Sequence, residues 1–173
     1  MTPEQIIKSL NMFPNDAEGG YLAPVYNATL LLDSNCLPGF PKPIGGDRPI
    51  CGAILYFLHN DDRSVMHRVV GDMVYHFYGG DPVQMLLLKP DNTTEICTFS
   101  NDLANGGYPM KAIPGGTWLG SRLIPGGINN YALMGVTMAP GFNPADYEIG
   151  KRSALVKGFP DQGVMITALT NDD

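Results

Sequence analysis

A chain of 173 residues, 44% hydrophobic and 16% charged, is long and apolar enough to bury its own core, which sets it apart from disordered and collagen-like chains. Its formal charge of −6, with 11 basic residues in no run, argues against a surface for nucleic acid or an anionic membrane. Cys36, Cys51 and Cys97 form no CxxC pair and read as free thiols, not as a disulfide framework or a thiolate zinc site.

Thr2-Pro3-Glu4-Gln5 is a helix start, with Thr2 as N-cap and Gln5 closing a capping box, and predicts a short helix over 2–10. Residues 21–32 are β-rich but carry Pro24, the mark of an edge strand. A Pro/Gly-rich loop is expected over 33–49. Strands follow at Ile50–Leu58, Ser64–Val70, Met73–Tyr78, Val83–Lys89, Glu95–Ser100, Met110–Ile113, Thr117–Ile124 and Tyr131–Ala139. Helix returns over Asn143–Gly158, and Val164–Leu169 reads as a last strand. Closely spaced strands broken by Gly/Pro turns define a sandwich or barrel, in one domain over 1–173. The N-terminus has no signal-like apolar region and no stretch approaches a membrane span, so a cytoplasmic location is expected.

The run His67-Arg68 … Asp72-Met73-Val74-Tyr75-His76-Phe77-Tyr78-Gly79-Gly80-Asp81-Pro82 resembles the cupin superfamily, most of all its Cupin_5 branch, a domain of unknown function. Supporting segments are Glu18-Gly19-Gly20-Tyr21, Ala53–Leu58, Ile113-Pro114-Gly115-Gly116-Thr117-Trp118, and Ala139-Pro140-Gly141-Phe142 with Asp146-Tyr147-Glu148. The resemblance implies an all-β jelly-roll barrel with a short helix at each end of the chain and a ligand pocket at one mouth. It also implies a homodimer. Metal-binding cupins converge two histidines of an HxH pair, a carboxylate and a later histidine on one ion. Here those places are Val65, His67, Met73 and Leu119, so one ligand of four is kept and no metal or other cofactor is expected. The branch's Arg-Glu pair after the Glu-Gly-Gly-Tyr motif is replaced by Ala23 and Pro24. A pocket that has lost these polar groups suits a small, largely apolar or aromatic ligand.

Period-two alternation from Met73 turns Met73, Tyr75 and Phe77 inward. Tyr56 or Leu55 is offered by the preceding strand, Leu119 and Ser121 by the later one, and Trp118 stands near the rim. Imidazole is the side chain best suited to proton transfer under neutral conditions, so His67 is the candidate general base; Tyr75 or Tyr56 is the candidate acid. Metal-free sugar epimerases of the cupin superfamily use a His and a Tyr in this way. Met73, Phe77, Trp118, Leu119 and Ser121 are the candidate substrate-binding residues. Arg68 and Arg122 are expected to face away, in surface ion pairs.

These residues describe a metal-independent enzyme that moves protons in a small metabolite of specialised metabolism, by isomerisation, epimerisation, dehydration or cyclisation (an isomerase, lyase or cyclase). Two alternatives stand beside it. One is a non-catalytic small-molecule binder. The other is a metal-dependent oxygenase or isomerase using His67, Asp72 and His76, which needs a bulged strand to bring them together.

Overall fold

The computed structural model describes residues 1–33 and 37–173; Cys36 and the adjoining part of the expected 33–49 loop lie outside the described residues. Helix α1 spans Pro3–Ser9 and carries the capping box at Thr2 and Gln5. The strands are β1 (Phe13–Pro14), β2 (Tyr21–Asn27), β3 (Leu31–Leu32), β4 (Arg48–Pro49), β5 (Gly52–His59), β6 (Arg63–Val69), β7 (Asp72–Gly80), β8 (Val83–Leu88), β9 (Thr94–Phe99), β10 (Met110–Ile113), β11 (Trp118–Leu123), β12 (Tyr131–Ala139) and β13 (Tyr147–Ile149). Helices α2 (Arg152–Gly158) and α3 (Gly163–Ala168) end the chain.

One sheet has six strands in the order β1-β2-β5-β12-β7-β10, and the facing sheet has five, β13-β6-β11-β8-β9. From β5 onward every connection except the β8–β9 hairpin carries the chain from one sheet to the other. Each strand therefore presents alternate residues to a shared interior. Tyr56 and Leu58, Met73, Tyr75 and Phe77, Val83, Met85 and Leu87, and Met134 and Val136 face inward and are buried together. Their neighbours face out and are covered by helices. Phe57 packs under α1 with Ile6, while Met66, Leu86 and Leu88 pack under α2 and α3 with Leu155, Ile166 and Leu169. Burial on both faces explains why β5 and β8 read as near-continuous apolar runs.

Two expectations are corrected. Residues 164–168 are helical and Leu169 is the C-cap, with Ile166 and Leu169 buried three apart and Val164 91% exposed, a helical period that so short and largely apolar a run conceals. The expected helix over 143–158 is interrupted: Pro144–Asp146 is a single 3-10 turn and Arg152–Gly158 an α-helix, but between them Tyr147–Ile149 pairs antiparallel with Val69–His67 of β6. The described part of the expected loop has no helix or strand over 37–47, as expected, but it is anchored to the barrel. Leu31–Leu32 pairs with Arg48–Pro49, and Arg48 is 1% exposed, its guanidinium gripping the Asp146 carboxylate through Nε (3.0 Å) and Nη2. Nη2 also donates to the Pro41 carbonyl at 2.7 Å, and the Asn143 side chain exchanges two hydrogen bonds of 3.0 Å with the Ile44 backbone.

Candidate functional site

One mouth of the barrel, formed by the start of β5, the end of β6, the start of β7 and the end of β12, holds a cavity of about 380 Å³. Leu22, Pro24, Ile54, Val69, Val136 and Met138 give it an apolar wall. Its polar groups are few: Glu18, His67, Tyr56, Tyr75 and Tyr147, with Asn15 and Asn27 at the edge. Among the described residues no lysine or arginine lines it.

Glu18 enters the barrel because the chain turns sharply behind it. Gly19 and Gly20 have φ of +95° and +71°, and a Cβ on them would stand 2.3 Å from the Arg63 carbonyl oxygen and 2.6 Å from that of Phe57. Only glycine combines that backbone conformation with so close an approach. The turn is tied to β6 by Val65 N–H donating to the Glu18 carbonyl (2.8 Å) and to β5 by the Tyr56 hydroxyl donating to the Gly19 carbonyl (2.7 Å). Its side chain then stands beside His67, with Oε2 3.8 Å from Nε2.

His67 is 2% exposed, and its Nδ1 lies 2.8 Å from the Val65 carbonyl oxygen. A carbonyl only accepts, so Nδ1 carries the proton and the neutral ring keeps its lone pair on Nε2, the nitrogen facing Glu18. Tyr147 stacks on the imidazole with ring centroids 5.6 Å apart, and Phe142 meets Tyr147 edge-on.

The three phenols stay protonated well beyond the ordinary range. Burial disfavours each phenolate first, and the Glu18 charge raises all three further. Their hydroxyls differ in setting: that of Tyr56 is committed to Gly19, whereas that of Tyr147 is buried, turned toward the Glu18 carboxylate and outside good hydrogen-bond geometry with any described residue. Tyr75, 3% exposed, also lines the cavity, and its hydroxyl makes no hydrogen bond among the described residues.

The structure thus brings four of the residues expected from the sequence, His67, Tyr75, Tyr56 and Met73, to one cavity wall. It places the other four elsewhere. Phe77 and Leu119 fill the barrel below the cavity, and Ser121 is buried further along β11. Trp118 points out of the barrel by the one-residue parity of a strand, under Arg68, whose guanidinium lies 4.5 Å from the indole centroid. Tyr56, not Leu55, is the inward residue of β5. Arg68 pairs with Glu148 as expected, but Arg122 has no carboxylate partner among the described residues. Glu18 and Tyr147 join the site unexpectedly, although both lie in the segments that carry the family resemblance. An acid just before Gly-Gly was the available signal for Glu18; Tyr147 gave none, because its strand read as helix.

The metal set of related barrels does not fit here. Leu119 is the β11 partner of His67, Met73 shares the cavity wall, and Val65 is an apolar residue. Asp72 is exposed and accepts from Gly115 N–H at 2.7 Å, and His76 lies on the outer sheet face beside Thr137 and Tyr78. The alternative built on His67, Asp72 and His76 is therefore overturned by strand parity. Among the described residues no three His, Cys, Asp or Glu side chains converge.

A two-sheet barrel with alternating crossovers and a cavity at one mouth is a jelly roll of the cupin type. The chain belongs to the Cupin_5 family, described as Cupin superfamily (DUF985), whose model matches residues 4–150. No curated protein matches the sequence. A protein from Shewanella oneidensis is 23% identical with a TM-score of 0.85, covering 100% of this chain and 99% of its own. A hypothetical protein from Leishmania major is 22% identical, TM-score 0.85, with 99% and 100% covered. Oxalate decarboxylase from Bacillus subtilis shares the fold more distantly, at 11% identity and a TM-score of 0.53, with 94% of this chain and 38% of that one covered. Among the described residues no helix is long and apolar enough to cross a membrane.

Proposed function

We propose that the cavity at His67 catalyses proton transfer within a small, uncharged, largely apolar metabolite, the class of isomerisation, epimerisation, dehydration or cyclisation. The observation that carries this reading is the paired orientation of His67: Nδ1 held by the Val65 carbonyl, Nε2 free at the cavity and 3.8 Å from Glu18. A substrate C–H beside a carbonyl gives its proton to Nε2. The imidazolium so formed is compensated by the Glu18 carboxylate, which is too distant to hydrogen-bond the neutral ring but close enough to stabilise its charge. Tyr147 and Tyr75, kept protonated by burial and by Glu18, donate hydrogen bonds to the oxygen on which negative charge develops. The absence of lysine and arginine from the wall disfavours carboxylate and phosphate substrates at this mouth. The apolar wall excludes water and shapes the remainder of the ligand.

Proton abstraction is read directly in D₂O. Neutral cyclic and aryl ketones incubated with the protein should gain deuterium at the α-carbon faster than in buffer, measured by proton NMR. His67→Ala should lower the rate about 10²- to 10⁴-fold, with Tyr75→Phe and Tyr147→Phe each lowering it less. Exchange that is equal in the native protein and His67→Ala sinks the assignment. Ligand binding without any exchange would instead favour a plain binding protein.

A further inference from the structure

The opposite mouth of the barrel is a different chemical place. The β5–β6 turn, the β11–β12 loop and Ala168 surround a second cavity of about 670 Å³. Its charged residues are Asp61, Asp62, Arg63, Asp81 and Arg122. Asp81 is already engaged: it accepts from the backbone N–H groups of Ile128, Asn129 and Asn130 at 2.7–3.1 Å and from Asn129 Nδ2 at 2.9 Å. That carboxylate fixes the cavity's rim. Gly127 lets the loop close on it, since a Cβ there would lie 2.2 Å from Asp81 Cγ.

Arg63 and Arg122 are direct cross-strand partners on β6 and β11, where two like charges repel. The other three arginines, Arg48, Arg68 and Arg152, are paired with Asp146, Glu148 and Asp172. These two have no carboxylate partner among the described residues, in a chain whose net charge is −6. Arg63 donates one terminal nitrogen to Asn171 Oδ1 at 3.0 Å. The Nε atoms of Arg63 and Arg122 are nonetheless shielded from solvent with no hydrogen-bond partner, and so is Oδ2 of Asp62. Buried donors and acceptors rarely stand unpaired in a native fold, and here two donors and one acceptor do so on three residues that line one polar cavity.

We propose that this second cavity binds a small hydroxylated oxyanion, a carboxylate or a phosphate, with Arg63 and Arg122 donating to the anion and Asp62 accepting from its hydroxyl. A planar guanidinium pair is suited to either anion, and Asp62 rejects ligands that bring charge without a donor. Asp61 and Asp62 keep the cavity from being a general anion trap. The proposal is independent of the chemistry assigned to His67.

Calorimetric titration of the full chain with inorganic phosphate and with D-glycerate, at fixed ionic strength and with glycerol as the neutral control, tests it. The native protein should bind at least one of the two anions and not glycerol. Binding by glycerate alone identifies the carboxylate as the recognised group, binding by phosphate alone the phosphate. Arg122→Gln and Arg63→Gln should each weaken binding about tenfold or more, Arg122→Lys less, and His67→Ala not at all. Without ligand, Arg122→Gln should melt no lower than the native protein, because repulsion is relieved; an arginine serving structure alone would lower the melting temperature. Failure of both anions to bind the native protein at about 10 mM, or unchanged binding in both glutamine variants, overturns the proposal.

Discussion

The two mouths of this barrel are built from the same strands and arrive at opposite chemistries. At the His67 mouth the wall is apolar, and among the described residues Glu18 is its one carboxylate, set among phenols, with no lysine or arginine beside it. At the Asp81 mouth two arginines and three aspartates line a larger polar space. Between them the barrel is solid: Met85, Phe99 and Met134 are fully buried, and Leu119 nearly so. Each rim is fixed by one buried aspartate, but by different means. Asp146 holds Arg48, and through it the 37–49 segment; Asp81 holds three backbone N–H groups of its own loop. A charge matched by a charge and a charge matched by peptide dipoles do the same mechanical job. They should fail differently.

The largest contrast is expected on removing the aspartates. Asp146→Ala leaves Arg48 buried and unpaired, and should cost about 3–5 kcal/mol in urea unfolding. Asp81→Asn keeps one acceptor for the loop and should cost less, about 1.5–3 kcal/mol. Acid sharpens the difference. Burial opposes the Asp81 charge, but the hydrogen bonds from Asn129, Asn130 and Ile128 outweigh it and hold the carboxyl below its ordinary 3.8. Its contribution should be complete above that value and disappear as pH falls through the lower folded value. Equal losses from the two substitutions would erase the distinction between the rims.

Alkali acts on the His67 mouth instead. Tyr56, Tyr75 and Tyr147 keep their protons in the fold beyond the ordinary 10.0, while the unfolded chain releases them there. The unfolded state then binds fewer protons, so stability should fall as pH rises above 10. Each such phenol contributes a slope of about 1.4 kcal/mol per pH unit. Tyr75→Phe should flatten the fall by about one proton's worth, read from urea midpoints between pH 8 and 11.5. A slope unaffected by that substitution would place Tyr75 in contact with water.

The smallest expected signal comes from the plug between the mouths. Burial raises the Cys97 thiol to about 11, whereas Cys51 is only half-buried. Iodoacetamide at pH 8 should label Cys51 well before Cys97, as peptide mass spectrometry would show. Equal labelling would mean that one cavity reaches through the barrel.

The strands were legible because period-two burial and Gly/Pro turns are local. Met110–Ile113 and Tyr131–Ala139 read to the residue from sequence alone. The family resemblance put His67 and Met73 at the pocket, and the same alternation, counted from Met73, added Tyr75 to their wall. It went astray wherever parity or pairing depended on distant chain. Trp118 is one residue from the inward Leu119 and so faces out. Tyr147 sits in a three-residue strand that exists only because β6 is there to pair with it. Glu18 is placed by a turn whose glycines are required by the backbones of Arg63 and Phe57, and no local rule reveals those neighbours.

The position of Trp118 has an optical consequence. It is the chain's one tryptophan, and it lies outside the barrel between Arg68 and the packing of α2 and α3. Its emission therefore reports how the C-terminal helices seat on the sheet. The cavity at His67 is lined by Tyr56, Tyr75 and Tyr147, so its occupancy belongs to tyrosine dichroism in the near ultraviolet. Two parts of one small barrel can be followed separately by wavelength, with no label attached.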